Sequence, residues 1–484
     1  MLELTLLLIL PVLATLICSL IKSFRLQYAI TLSVAGLHLL TSFAIFINIL
    51  QPTLPYFFST DALSKLFILV LSNVYFWVVL VSYSFLKKDV PLKGQRSKKY
   101  YFALLNFYLL ANSIAILSNH FGMYWVATEA TTLSVAPLIY YYRNKESLEA
   151  LWKYLFLVSI GIALAFLGIL FLTLSAKGGV LEGKQLFFSE FVRQAKSLNP
   201  VWLKASFIFI FVGLSTKIGI APMHPGDVDA TSNAPSPIAA LMSGSLRVTA
   251  LLGVLRIFQI VRFTPTYDFA RLILIIGGVL SLIVTFIFMF KVKNYKRLLA
   301  YSSVEHLGII ALGIGTGGIA FIGALYHIIY NSINKIVLFL SAGNVHLRYK
   351  TRQIDGVSSA LNILPWSGWL LLLAFFAISG VPPFGIFFSE LKIFEGILFS
   401  ENPWLLAMVM FLLLFIFINM GKKIFLMLYR KDDNLVVNTE KEKFDISHFV
   451  SILLLVILIA IAVFSPDVLS KNILAIAKDF GVKL

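Results

Sequence analysis

Long apolar runs, separated by short polar and mostly basic stretches, repeat along this chain from end to end. A helix needs about 20 apolar residues to cross the ~30 Å hydrocarbon core of a bilayer. Runs of that order fall at 1–21, 26–50, 62–86, 100–118, 121–142, 151–175 and 201–220, and again at 237–261, 268–290, 299–316, 319–345, 364–400, 403–428 and 447–465. The pattern predicts an all-α integral membrane protein with fourteen transmembrane helices. Two of the runs are interrupted. The seventh reaches Lys217 and then meets Gly219, Pro222, Pro225 and Gly226, and the twelfth is broken at Gly380-Val381-Pro382-Pro383-Phe384-Gly385. Broken backbone at bilayer depth is tolerated only where protein or water satisfies the freed amides and carbonyls. The breaks stand five spans apart, and a shift of five reverses the direction of crossing. This predicts two inverted five-helix repeats, spans 4–8 and 9–13, each with a site at its discontinuous helix. The chain then divides into 1–99 (spans 1–3), 100–265 (first half-channel), 266–430 (second half-channel) and 431–484 (an inner loop and span fourteen). Between spans six and seven, Phe187, Phe188, Phe191, Val192, Ala195 and Leu198 recur at helical spacing, which predicts an amphipathic helix over 182–198.

Polar positions inside the spans carry the candidate chemistry. Glu129 lies eight residues into span five, ~12 Å deep at 1.5 Å per residue, among Thr128, Thr131 and Thr132. A carboxylate held by threonines for packing is the bland reading. Burial and a neighbouring ammonium act in opposite senses on a carboxylate, so a Glu–Lys pair that opens and closes can take up and release a proton. Lys217 is the natural partner. Span ten contains Glu305-His306, and span eleven places His327, Asn331 and Lys335 at i, i+4 and i+8 on one helical stripe. That stripe holds one imidazole and no carboxylate, which disfavours a metal. Glu390 follows the second break by five residues. Lys392, close behind it, reads equally as a side chain that snorkels to the interface.

Composition agrees with a membrane class. Of 484 residues 59% are hydrophobic and 13% charged, against about 25% charged in soluble domains; mean hydropathy is +0.90. The net charge of +17 does not indicate nucleic acid, because the basic residues sit in short loops. Lys22 and Arg25, the cluster from Lys87 to Lys99, Arg143 and Lys145, Lys291 to Arg297, Arg348 to Arg352, and Arg430 to Lys443 fall on one side. The other side holds Lys177, Lys184, Arg193, Lys196, Arg262 and Arg271. By the positive-inside rule the first side is cytoplasmic and both termini lie outside a cell (inner) membrane. No basic n-region precedes the first run, which reads as a retained helix. A single cysteine, Cys18, makes no disulfide, zinc site or iron–sulfur cluster, and no dinucleotide or P-loop fingerprint is present. The chain is therefore expected to carry no redox cofactor and to hydrolyse no nucleotide, so an ion gradient or a partner subunit must drive it.

Several stretches carry a family likeness: the helix around Glu129, Thr216-Lys217 through Pro222-Met223-His224 to Asp229-Ala230 and Ala234-Pro235-Ser236-Pro237, Lys296-Arg297-Leu298-Leu299-Ala300-Tyr301-Ser302-Ser303, Lys335 through Gly343-Asn344, and Pro382-Pro383-Phe384-Gly385. They resemble the antiporter-like subunits of respiratory complex I, cation/proton antiporter complexes and group 4 membrane-bound hydrogenases. Glu129-Ala130-Thr131-Thr132-Leu133 and Glu146 through Lys153-Tyr154 look most like component F of the hydrogenase-4 type. The resemblance implies a proton pathway in which Glu129 and Lys217 pair, Lys335 bridges the halves, Glu390 ends the second half, and His306 and His327 lie on a central hydrophilic axis. Lys153, His224, Asp229, Arg247, Asn331 and Lys392 are secondary candidates. Three positions depart from the family pattern. Arg247 stands near where a span-eight lysine or histidine is usual, Asn331 replaces a second histidine in span eleven, and Gly226-Asp227-Val228 replaces the usual Trp-Leu-Pro. The function implied is proton translocation by a membrane subunit of an oxidoreductase whose partner subunits carry nickel–iron and iron–sulfur centres. The alternative is a sodium/proton antiporter subunit without a redox partner.

Overall fold

A computed structural model describes residues 3, 5–50, 56–89, 96–176, 186–400, 402–431 and 442–482. Each of the fourteen apolar runs is helical: α1 (Thr5–Leu20), α2 (Phe24–Phe46), α3 (Ala62–Lys88), α4 (Tyr101–Leu117), α5 (Phe121–Ile139), α6 (Lys145–Ser175), α7a (Pro200–Ile218), α8 (Ser236–Val261), α9 (Tyr267–Lys291), α10 (Tyr295–Thr316), α11 (Gly318–Tyr349), α12a (Pro365–Ile378), α13 (Pro403–Tyr429) and α14 (Ile446–Phe464). The two broken runs continue as α7b (Pro225–Asn233) and α12b (Gly385–Phe399). Among the described residues nine helices, α2, α3, α6, α7a, α8, α9, α10, α13 and α14, are long and apolar enough to cross a bilayer; α1, α4 and α12a are shorter apolar helices. Thr128, Glu129, Thr131 and Thr132 dilute the apolar content of α5, and His327, Asn331, Asn334 and Lys335 that of α11.

Local chemistry sets the helix ends. Asp61, Asn144, Asn199, Asn294, Asn402 and Asp445 accept backbone N–H groups at the starts of α3, α6, α7a, α10, α13 and α14, which supplies partners for amides that lack intrahelical ones. Contacts between connections define two ends of the bundle. At the basic end Tyr142 donates to Asp89 at 2.6 Å, Arg352 donates to Asn233 at 2.8 Å, and Lys88 pairs with Asp445. At the opposite end Arg256 pairs with Asp61 at 2.5 Å, and Arg271 donates to the Gly315 carbonyl at 2.8 Å.

Burial sorts the helices by role. The apolar stretches of α8 and α10 are 100% buried in the bundle, whereas those of α6, α9 and α14 are 39% and that of α13 28% buried. The outer helices present apolar faces suited to lipid, and the ionisable side chains sit on helices that other helices shield.

Two elements differ from expectation. Residues 182–185 of the predicted amphipathic stretch lie outside the described residues, as do Lys93, Lys177, Lys184 and Lys441 of the charge argument. The remainder forms two short pieces, Phe188–Arg193 and Ala195–Ser197, instead of one helix, with Phe188, Phe191, Ala195 and Leu198 buried against the bundle. After α14 the chain forms a further helix, α15 (Asp467–Asp479), where the fourteen-span pattern predicts no element. Leu469, Ile473, Ile476 and Ala477 make its buried face, and Ser470 meets Tyr326 of α11 at 3.0 Å.

Candidate functional site

Both breaks use one backbone device. Gly219 ends α7a at φ +88°, and Gly380 follows α12a at φ +65°, a region that glycine enters without a Cβ penalty. Each is followed three residues on by a cis proline, Pro222 and Pro383. Each glycine also lies against a carboxylate: a Cβ on Gly219 would meet Asp227 Oδ2 at 2.9 Å, and a Cβ on Gly380 would overlap Glu390 Oε2. The chain reaches the first break from the end opposite the basic loops and the second break from the basic end.

Lys217, in the last turn of α7a, is 1% exposed. Its ammonium donates to the Thr128 carbonyl and to Thr132 Oγ1 at 2.8 Å, on α5 either side of Glu129. Among the described residues no ion pair joins Lys217 to Glu129, so the direct pair expected from the sequence is open. A backbone carbonyl and a threonine hydroxyl satisfy the ammonium instead, and Glu129 Oε2 is buried with no hydrogen-bond partner. Glu129 remains a charge neighbour of Lys217.

The second half gathers a larger cluster. His306 Nδ1 and His327 Nε2 are 2.9 Å apart, and His327 Nδ1 lies 3.0 Å from Ser389 Oγ. Ligand atoms of His306, His327 and Glu390 all lie within 4.8 Å of one another. The single-helix stripe that argued against a metal therefore undercounts the donors, since the fold adds His306 from α10 and Glu390 from α12b. The imidazoles nonetheless spend two nitrogens on each other and a third on Ser389, leaving His306 Nε2 as the buried unpartnered one. Lys335 donates to Ser302 Oγ at 2.6 Å and to the Leu299 carbonyl at 3.4 Å, both on α10. Its acidic neighbour is Glu305, which is within electrostatic reach of both Lys335 and Glu390. Glu305 is the residue sequence reasoning passed over, although it stands three residues after Ser302 and directly before His306. Asn331 faces the same interior, with Oδ1 buried and unpartnered.

The secondary candidates fall in three places. Lys153 pairs with Asp229 at 3.3 Å and Glu149 at 2.5 Å, and Arg297 pairs with Asp229 at 3.0 Å. All four line a cavity of about 540 Å³ at the basic end, with Lys291, Lys293 and Tyr301. His224 packs beside it, its ring 6.1 Å from Tyr301 and 6.0 Å from Phe288. Lys392 turns away from the Glu390 cluster into a cavity of about 690 Å³ at the opposite end, with Arg271, Tyr326 and Ser470. Arg247 forms an ion pair with Asp227, both side chains 0% exposed. Arg247, a secondary candidate, and Asp227, which lies in one of the departures from the family pattern, are thus in contact. Lys296, also buried, donates to the Ala234 carbonyl at 2.5 Å and ties α10 to the segment after α7b.

Residues 118–416 match the family model described as NADH:quinone oxidoreductase/Mrp antiporter, TM. The hydrogenase-4 component F homolog of Methylacidiphilum infernorum (isolate V4) is 33% identical over 355 residues, 72% of this chain and 74% of that one. A chain in the structure of the membrane-bound sulfane sulfur reductase, an archaeal respiratory membrane complex, superposes with a TM-score of 0.86 at 21% identity, covering 99% of this chain and 97% of that one. A chain of the Mrp complex from Dietzia sp. DQ12-45-1b gives 0.85 at 16% identity, with 99% and 98% covered. This multi-pass membrane chain is a member of the NADH:quinone oxidoreductase/Mrp antiporter family and resembles the membrane subunits of hydrogenase-4 and complex I.

Proposed function

We propose that this chain translocates protons as a membrane subunit of a larger oxidoreductase of the group 4, hydrogenase-4 type. The observation that carries the reading is the shielded row of ionisable groups joining two discontinuous helices: Glu129 and Lys217 at the first, then Lys335, Glu305, His306, His327 and Glu390 at the second. Such residues are costly inside a membrane and mark ion routes. Residues 100–265 and 266–430 act as the two half-channels. Protons reach the first through the polar cavity at Lys153 and Asp229 and leave the second toward Lys392, with the basic loops on the cytoplasmic side and both termini outside. Electron transfer belongs to partner subunits with nickel–iron and iron–sulfur centres, whose redox changes bias the protonation of this chain. The relatedness to a hydrogenase-4 component supports those partners.

The test is purification of the complex by a tag on this chain, with metal analysis and vesicle reconstitution. Stoichiometric iron and nickel, with proton movement on addition of an electron donor, is expected. A metal-free complex that exchanges sodium for protons would instead establish a redox-independent antiporter.

A further inference from the structure

The buried Arg247–Asp227 pair has no role in the pathway above, yet it lies against the first break, with Asp227 Oδ2 and Arg247 Nε both within 4 Å of where a Cβ on Gly219 would stand. Arg247 Nη2 spends itself on Asp227 and on Thr231 Oγ1 at 3.1 Å, leaving Nε and Nη1 buried without partners. Asp227 Oδ1 has no partner either, and the Tyr154 hydroxyl on α6 is likewise orphaned. Tyr154 lies within electrostatic reach of Asp227, Glu129 and Arg247 together. On the far side Arg247 acts on Lys335 of α11. The other cations of α10 near α7b are engaged elsewhere, Arg297 by Asp229 and Lys296 by the Ala234 carbonyl. Buried donors and acceptors left over at protein partners are satisfied by water, and Glu129, Tyr154, Arg247 and Asp227 each carry one.

A guanidinium stays protonated under all working conditions, so Arg247 cannot hand a proton on. Asp227 can. When its carboxylate takes a proton, an O–H bond forms, the pair passes from net zero to net +1, and no charge leaves Arg247. The Arg247 charge, no longer cancelled, lies within electrostatic reach of the Lys335 ammonium and opposes it. Lys335 then loses an N–H proton through water to the Glu305 carboxylate, which becomes the neutral acid. When Asp227 gives up its proton, Lys335 can be recharged.

We propose that Asp227 is a proton-carrying group of the first half-channel, with Arg247 as its fixed counter-charge. The pair conveys the state of the first half to Lys335 and so takes the place of a titratable residue on α8. This rests on the proton-translocating reading above, and the test separates the two.

The complex is purified and reconstituted in vesicles as wild type, Lys217→Ala, Asp227→Asn/Arg247→Gln and Asp227→Glu, and donor-driven proton movement is measured at equal incorporation. The double variant removes both charges and leaves no buried ion unpaired, so a purely structural lock would tolerate it. The relay predicts assembly with translocation lowered roughly a hundredfold, as for loss of a positioned proton-transfer group. Asp227→Glu keeps the carboxylate and should retain translocation with a displaced pH profile. Wild-type rates in the double variant, with Lys217→Ala inactive, would overturn the inference alone. An inactive wild type would overturn the translocation reading and the inference with it. Should the double variant fail to assemble, the Asp227→Glu pH profile decides: a displaced profile supports the relay, and an unmoved one overturns it.

Discussion

The two helix breaks share a backbone and differ in charge. Each has a glycine at positive φ, a cis proline three residues on and a carboxylate laid against the glycine. At the first, the carboxylate of Asp227 meets a guanidinium, and the two charges cancel. At the second, the carboxylate of Glu390 meets two imidazoles and, beyond them, a second acid at Glu305. An added proton therefore creates net charge at the first break and removes it at the second. The lesson is that a repeated scaffold fixes where a carboxylate sits, while its neighbours decide what a proton does there.

The comparison breaks most readily at Glu390. Glu390→Gln removes the carboxylate laid against the second break and should abolish most translocation. Glu390→Asp, which keeps the charge but shortens the reach, should lose less. Proton uptake by reconstituted vesicles decides this, and Gln performing as well as Asp would make Glu390 a packing residue. Arg247→Gln alone comes next. It strands the Asp227 charge in a site with 0% exposure and should cost about 3–5 kcal/mol, read as loss of the purified complex or a lowered unfolding temperature. Nothing at the second break should respond comparably when one imidazole is removed.

Smaller effects sharpen the backbone half of the comparison. Gly219→Ala and Gly380→Ala each force a Cβ into the left-handed region and should cost on the order of 1–3 kcal/mol in thermal unfolding. Each added Cβ also crowds a carboxylate, Asp227 at the first break and Glu390 at the second, so both should impair translocation, Gly380→Ala the more because its Cβ overlaps the carboxylate outright. Smallest is the clamp at the start of α14, away from both breaks. Burial works against ionisation of Asp445, but hydrogen bonds from His448, Lys88 and Ser447 outweigh it and hold the carboxyl below its ordinary range. A carboxyl lowered by folding adds stability that is fully present above its unfolded value, about 3.9. That stability is lost as pH falls through the folded value. Asp445→Asn should cost about 1 kcal/mol at neutral pH and weaken the acid dependence of unfolding.

Much of the bundle was legible because bilayer length, apolar content and helix-breaking residues are written linearly: α7a ends within two residues of the predicted limit, and both breaks fall where glycine and proline announced them. The last helix, α15, was missed because its thirteen residues alternate polar and apolar faces too briefly to read as a span. The site was legible by residue type and less so by partner. Lys217, Glu129, Lys335 and Glu390 stand out as charges in apolar runs, but which charge meets which depends on helix rotation and packing. Glu305 was obscured by its neighbour His306, and Asp227 lay in a polar connection where an acid raises no alarm. The demand for it was visible from the other side, since a buried Arg247 needs an anion.

Everything proposed for the two breaks requires that protons cross the membrane through this chain by way of Glu129 and Lys217. The most direct test is donor-driven proton movement by the assembled complex in vesicles, comparing wild type with Lys217→Ala and Glu129→Gln at equal incorporation. An intact complex is expected, with electron transfer retained and most proton movement gone in both variants. Full translocation by an assembled Lys217→Ala complex would contradict it.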